Sequence, residues 1–194
     1  LTESGKEKIV KMRLKIVLII LSAGSLLFAA SAASGQAKVS CDFSPYLADR
    51  DTNTDNGTNI RAKPDRNASI IRTLGGKNND EISSADGIGV NVTGFSNGWF
   101  EISRVEQVGD SDKVIFEGRG WIHSSLLGLD VANADPRLYA EPRKQSRILM
   151  KLKADESPLK LLACQGKWVK VETGGKTGWL SPGGQCGNPL TTCP

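Results

Sequence analysis

The sequence is short of the residues from which most catalytic and metal centres are built. It holds a single histidine, His123, so no pair of imidazoles exists to ligate a metal or relay a proton. Its four cysteines, Cys41, Cys164, Cys186 and Cys193, include no C-x-x-C pair, and the histidine is far from them in sequence, so neither a metal site nor a cofactor is expected. Excess charge of one sign is also missing. The formal net charge is +4, but Lys6, Lys8, Lys11, Arg13 and Lys15 lie in the first 37 residues against only Glu3 and Glu7, and without that segment the balance is about +1. A near-neutral chain of mixed charge gives no electrostatic reason to expect nucleic acid or an anionic membrane as partner.

Long hydrophobic runs are absent except for one. From Met12 the chain reads "MRLKIVLIILSAGSLLFAASAASGQA", with a basic start at Arg13 and Lys15, an apolar run from Ile16 to Ala30 and then small residues. That order is the order of a secretory signal peptide, so residues 1–37 are expected to be a signal and its upstream residues. The protein is then periplasmic or secreted, with no stable membrane insertion after cleavage. All four cysteines survive that cleavage, and an even number in an exported chain reads as two disulfides.

What remains is governed by a repeat. "NIRAKPDRNASIIRTL" (59–74) aligns without a gap over "RLYAEPRKQSRILMKL" (137–152), matching Ile60 with Leu138, Pro64 with Pro142 and Leu74 with Leu152. Further on, "VNVTGFSNGWFEI" lies over "LKLLACQGKWVKV", placing Trp99 on Trp168, and Gly120-Trp121-Ile122 lies over Gly178-Trp179-Leu180. The spacing between matched parts differs, so the pattern indicates two variants of one small domain rather than a stacked array.

Each variant reads as strands. "VNVTGF", "WFEI", "LKLLAC" and "WVKVET" alternate or run apolar over four to six residues and are bounded by Gly, Asn and Ser. Gln165-Gly166 and Thr173-Gly174-Gly175-Lys176 supply hairpin turns. About sixty residues of short strands are too few for two independent layers, so a small, strongly twisted, partly open barrel is expected in each half. In so small a barrel, two tryptophans are expected to supply much of the core, with the glycine before the second allowing close backbone approach.

The order "NIRAKP…IIRTL…NGWFEI…GRGWIHSSLL", repeated as "RLYAEP…ILMKL…GKWVKV…KTGWL", resembles the bacterial Src-homology-3 (SH3b) domain family. The second copy departs from the family pattern at Tyr139, where the first keeps Arg61, and it ends in "CGNPLTTCP", outside the ordinary barrel. The resemblance implies an all-β protein of two tandem SH3-like barrels, residues 38–129 and 130–194. It also implies binding, to peptidoglycan or its peptide stems or to proteins, without catalysis. Arg61, Trp99, Trp121, Tyr139, Trp168 and Trp179 are the expected ligand-binding residues, and a monomer is expected.

The first copy carries two insertions, "GGKNNDEISSADGIG" (75–89), expected as a surface loop, and "SRVEQVGDSDKVIFEGR" (103–119), expected as an extended hairpin turning at Gly109-Asp110-Ser111-Asp112. The strand leaving Trp179 runs back towards the turn beside Cys164. Cys164 is therefore expected to bond Cys186 or Cys193, with Cys41 taking the other, although Cys186 and Cys193 are also close enough to close a small loop by themselves.

Other features point to no chemistry. "DTNTDNG" (51–57) has alternating acids but lacks the closing Glu of a calcium loop, where Ala62 stands instead. Asp110, Asp112 and Glu117 fall in loops without evident pairing, so a carboxylate-dependent hydrolase is the remote alternative. A periplasmic protein-interaction adaptor is the nearer one. A cell-wall hydrolase joins such barrels to a separate catalytic domain, and no segment within these residues is left over for one.

Overall fold

Alternating apolar side chains build the molecule, and the strands fall where they alternate. The computed structural model describes residues 37–48, 57–75, 87–109, 113–153, 159–188, 190–191 and 193. Apart from Ala37, the expected signal segment lies outside the described residues, as do the turn residues 110–112 and residues 51–56 of the acidic stretch. Gln36–Pro194 form one compact unit. Among the described residues, no helix is long and apolar enough to cross a membrane.

The strands are β1 (Val39–Phe43), β2 (Tyr46–Leu47), β3 (Thr58–Arg61), β4 (Ile70–Leu74), β5 (Gly87–Ser96), β6 (Trp99–Val108), β7 (Lys113–His123), β8 (Leu127–Gly128) and β9 (Asp130–Val131). They continue as β10 (Arg137–Tyr139), β11 (Ile148–Lys151), β12 (Lys160–Gln165), β13 (Trp168–Thr173), β14 (Lys176–Leu180) and β15 (Gln185–Cys186). The first sheet runs β4-β3-β7-β6-β5-β2-β8, with β1 added on β5, and the second runs β11-β10-β14-β13-β12. Five consecutive positions thus share one order, β4-β3-β7-β6-β5 against β11-β10-β14-β13-β12.

The shared order extends to register. β3 slips by one residue against β4 between Ile60 and Arg61, and β10 slips against β11 between Leu138 and Tyr139. Arg61 lies opposite Trp121, as Tyr139 lies opposite Trp179. The following turns repeat bond for bond: Ala62 N–H donates to Ser69 and Ala140 N–H to Arg147, then Ala68 N–H to Asp65 and Ser146 N–H to Arg143. A 3-10 turn follows the last long strand in each case, Ser124–Leu126 and Pro182–Gly184.

The longer hairpin of the first half appears as β5, β6 and β7, each ten or eleven residues long, against five or six in β12 to β14. The first insertion ends earlier than expected, because Gly87–Gly89 already pair with β6 as part of β5. The β13–β14 hairpin turns on Gly174 (φ +53°) and Gly175 (φ +71°), both in the left-handed region that a two-residue turn of this kind requires.

The core is mostly aliphatic, with Phe43, Phe100 and Trp121 buried beside it, which corrects the expectation that the tryptophans supply much of it. On β13, Val169 and Val171 are buried while Trp168 and Lys170 are half-buried. On β14, Gly178 and Leu180 are buried and Trp179 between them is not. Successive strand residues face opposite ways, so a buried aliphatic on each side turns the tryptophan outward. Trp99 follows the same rule beside Phe100, and only Trp121 is fully covered. Ile60, Phe100, Ile102 and Ile122 in one half, and Leu138, Val169, Val171 and Leu180 in the other, form the centre. Each such side chain contributes about 1.5–3 kcal/mol on burial.

The glycine before the second tryptophan behaves as anticipated. A Cβ at Gly120 would overlap Cγ2 of Ile60, and one at Gly178 would lie 3.0 Å from Leu149 Cδ1. Gly120→Ala is therefore expected to destabilise the protein by about 1–3 kcal/mol through overpacking. Thermal unfolding checks it, and an unchanged midpoint would contradict the close packing of β7 on β3.

The pairing of Cys164 with Cys186 or Cys193 is corrected, and the alternative in which Cys186 and Cys193 close a small loop is the one found. The bonds are Cys41–Cys164 and Cys186–Cys193, with Cα–Cα distances of 5.7 and 5.6 Å, and no described cysteine is free. After Ser181 the chain enters the 3-10 turn and pairs with β9, which places Cys186 opposite Asp130. β1 meets Cys164 instead. Cys41 forms a parallel bridge with Gly166, where Asp42 N–H donates to Gly166 (2.8 Å) and Gly166 N–H to Ser40 (2.9 Å).

Candidate functional site

The six residues singled out in the sequence do not form one groove. Arg61, at the end of β3, and Trp99, at the start of β6, line a cavity of about 790 Å³ together with Gly57, Asn59, Arg66 and His123. Trp121 lies beside Arg61 across β3 and β7 but is buried. Tyr139 and Trp168 meet edge to face in the other half, centroids 5.4 Å apart. Trp179 lines a separate cavity of about 230 Å³ with Val39, Phe95 and Gln165.

The larger cavity is built by three short stretches. β3 delivers Asn59 and Arg61 on one face. The turn after it delivers Arg66, and the β6 and β7 ends deliver Trp99 and His123, which pair in register and pack edge to face at 5.1 Å. Arg61 is anchored by a hydrogen bond from Nη1 to the Ala68 carbonyl, 2.7 Å. Asn59 Oδ1 accepts from Thr73 Oγ1 at 2.8 Å, which leaves its amide NH₂ as donor. His123 Nδ1 faces Ser125 Oγ at 2.8 Å and accepts from the Ser125 N–H, so Nε2 is the nitrogen left to donate. Asp65 stands at the rim, its carboxylate accepting from Asn67 N–H at 2.8 Å.

The register shared by the two sheets places a different arrangement at the matching position of the second half. Asp135 lies there, 2% exposed. Its carboxylate accepts from Arg137 Nε (2.5 Å), Lys144 Nζ, Ser181 Oγ and Tyr139 OH (3.2 Å). Burial pushes this carboxyl up, but the hydrogen bonds from Lys144, Ser181 and Arg137 outweigh it and hold the group well below the usual carboxylate range. The cations of Arg137 and Lys144 also stand over the Tyr139 ring at 5.7 and 5.9 Å.

A second buried carboxylate, Glu101 on β6, binds Arg119 Nε at 2.5 Å, Lys38 Nζ at 2.7 Å and Thr93 Oγ1 at 3.0 Å. Burial raises this group, and the bonds from Lys38, Thr93 and Arg119 lower it overall. Neither Asp135 nor Glu101 is legible as a site from sequence, where each is one acid among many. The expected loop acid Glu117 is exposed in β7 and lies 3.9 Å from Arg104, while Asp110 and Asp112 fall outside the described residues. Among the described residues, no cluster of three His, Cys, Asp or Glu side chains could hold a metal ion.

With this geometry in place, the comparisons with known proteins are specific to the second half. The family model of the bacterial SH3 domain matches residues 133–184, the segment from the residue pair before Asp135 to the end of the second 3-10 turn. The match covers this segment alone, and the domain it describes suggests a binding module. No curated protein matches the chain.

Proposed function

We propose that the chain is an exported, non-catalytic binding protein that recognises cell-wall peptidoglycan or its peptides. In this reading residues 38–129 are a second, enlarged variant of the domain at 130–194, after a signal segment at 1–37. The observation that carries it is the bacterial SH3 match joined to the shared strand order, since the larger cavity lies where the first half keeps an open site. Two disulfides favour an oxidising compartment outside the cytoplasm. The binding surface is the Arg61, Trp99 and His123 wall, where a half-buried indole offers apolar area and a guanidinium offers charge.

Sedimentation with purified sacculi tests this function. The oxidised protein is expected to co-pellet, and Trp99→Ala, which removes a cavity wall but no core residue, is expected to lower the pelleted fraction at least threefold. Equal pelleting of both, or none, removes the wall reading. Release of soluble fragments would restore the hydrolase. An adaptor role draws on the edge strands β4 and β11, whose Ile70, Ile71 and Ile148 are about half exposed, and is favoured if neither protein pellets.

A further inference from the structure

The two halves place comparable sets of side chains at matching positions, and in the second half Asp135 sits among them. With a constant offset of 78 residues along 57–74, Gly57 matches Asp135, Asn59 matches Arg137, Arg61 matches Tyr139 and Arg66 matches Lys144. The shared pairing of the last strands matches His123 with Ser181 and Trp99 with Trp168. In the second half every polar member of this set donates to the Asp135 carboxylate. In the first half each of those positions keeps a donor: the Asn59 amide, the Arg61 and Arg66 guanidinium groups and His123 Nε2. Among the described residues the acceptor alone is missing, because Gly57 has no side chain.

From this we infer that the first-half cavity binds a ligand carboxylate, held where Asp135 stands in the second half. The inference deepens the proposed binding function by fixing the chemistry of the ligand, and rests on that reading only for the location of the site. No carboxylate among the described residues pairs with Arg61 or Arg66, and the acid in the lining, Asp65, is engaged by the Asn67 N–H. Among the described lining residues, two guanidinium groups stand against that one acid. A planar carboxylate suits a guanidinium fork, which makes two parallel hydrogen bonds to it. The volume of about 790 Å³ far exceeds one carboxylate, so the ligand extends beyond it along the Trp99 and His123 wall, as the end of a peptide would.

Gly57 is not a position where the chain could have supplied the acid itself. Its φ is +50°, and an added Cβ would lie 2.5 Å from the Leu74 carbonyl oxygen, so a side chain there strains the backbone. Among the described residues the first half therefore offers no acceptor at this position, while the second half carries an internal one.

The test titrates the full oxidised protein with acetyl-Ala-Ala as the free acid, with its carboxamide, with acetate and with inorganic phosphate, following the Trp99 indole and Arg61 side-chain N–H signals by NMR. The free acid is expected to shift these signals saturably and to bind at least roughly tenfold more tightly than the carboxamide, as expected for loss of charge-assisted hydrogen bonds. Acetate is expected to compete at higher concentration, which separates the carboxylate from the peptide part. Arg66→Met, at an exposed position with no partner among the described residues, is expected to weaken the acid several-fold while the rest of the spectrum stays unchanged. Equal binding of acid and carboxamide, shifts confined to residues away from Trp99, tighter competition by phosphate than by acetate, or an unaltered Arg66→Met overturns the inference. Carboxylate binding without pelleting on sacculi would sink the cell-wall reading and leave this site standing, and pelleting with no preference for the acid would do the reverse.

Discussion

Replacing Cys41 and Cys164 together by alanine is expected to destabilise the protein about twice as much as replacing Cys186 and Cys193. The first bond spans 123 residues and the second only seven. Closing the longer loop removes more freedom from the unfolded chain, roughly 5 kcal/mol against roughly 2.4 kcal/mol at 25 °C in the chain-entropy account. Both Cys41 and Cys164 are also buried, so alanine adds a small packing loss. The long bridge further holds β1 against Gly166, whose two backbone hydrogen bonds are its nearest support. Denaturant unfolding of the two double variants, followed by tryptophan fluorescence, gives the comparison. Equal losses would mean that the unfolded chain already keeps these ends together.

The second large effect concerns Asp135. Asp135→Asn is expected to cost about 2–4 kcal/mol, because the buried Ser181 and Tyr139 hydroxyls lose a charged acceptor. Arg137 and Lys144 limit the loss, since their side chains are 43% and 51% exposed and turn back to water. The same carboxylate makes wild-type stability depend on acidity. Its folded-state pKa is depressed, so its contribution is complete above the unfolded value of about 3.9 and is lost as the pH falls below that towards the folded value. Urea midpoints from pH 7 down to pH 2.5 should therefore fall more steeply for the wild type than for Asp135→Asn. A residual slope is expected in the variant from Glu101, which is shifted in the same direction. Parallel curves for the two proteins would show that Asp135 is not ionised against its partners.

Strand positions were legible because alternation and turn chemistry agree along each stretch. Val169 and Val171 announce β13, and Gly174-Gly175 announce its turn. The facing of the tryptophans was harder to read, since each sits next to an aliphatic residue that can equally claim the interior. Phe100 and Leu180 win because Ile102 and Gly178, two residues away on the same strand, share their face. The cysteine pairing failed on a long-range strand that local pattern cannot reveal, the parallel bridge of Cys41 to Gly166. In the site, Arg61 and Trp99 are visible through the repeat, but the gapless repeat opens at Asn59 and Arg137, two residues after Gly57 and Asp135. The positive charge kept at Arg66 and Lys144 is the sequence signal that the two turns correspond.

The Cys41–Cys164 bond turns everything between those residues into a covalent ring that contains β2 to β11 and most of β12. A single peptide-bond cleavage inside the ring, by whatever protease the protein meets, opens it without liberating a fragment. Both pieces stay tethered at the seam where the first strand meets the β12–β13 hairpin, so damage within this stretch leaves the two sheets on one molecule.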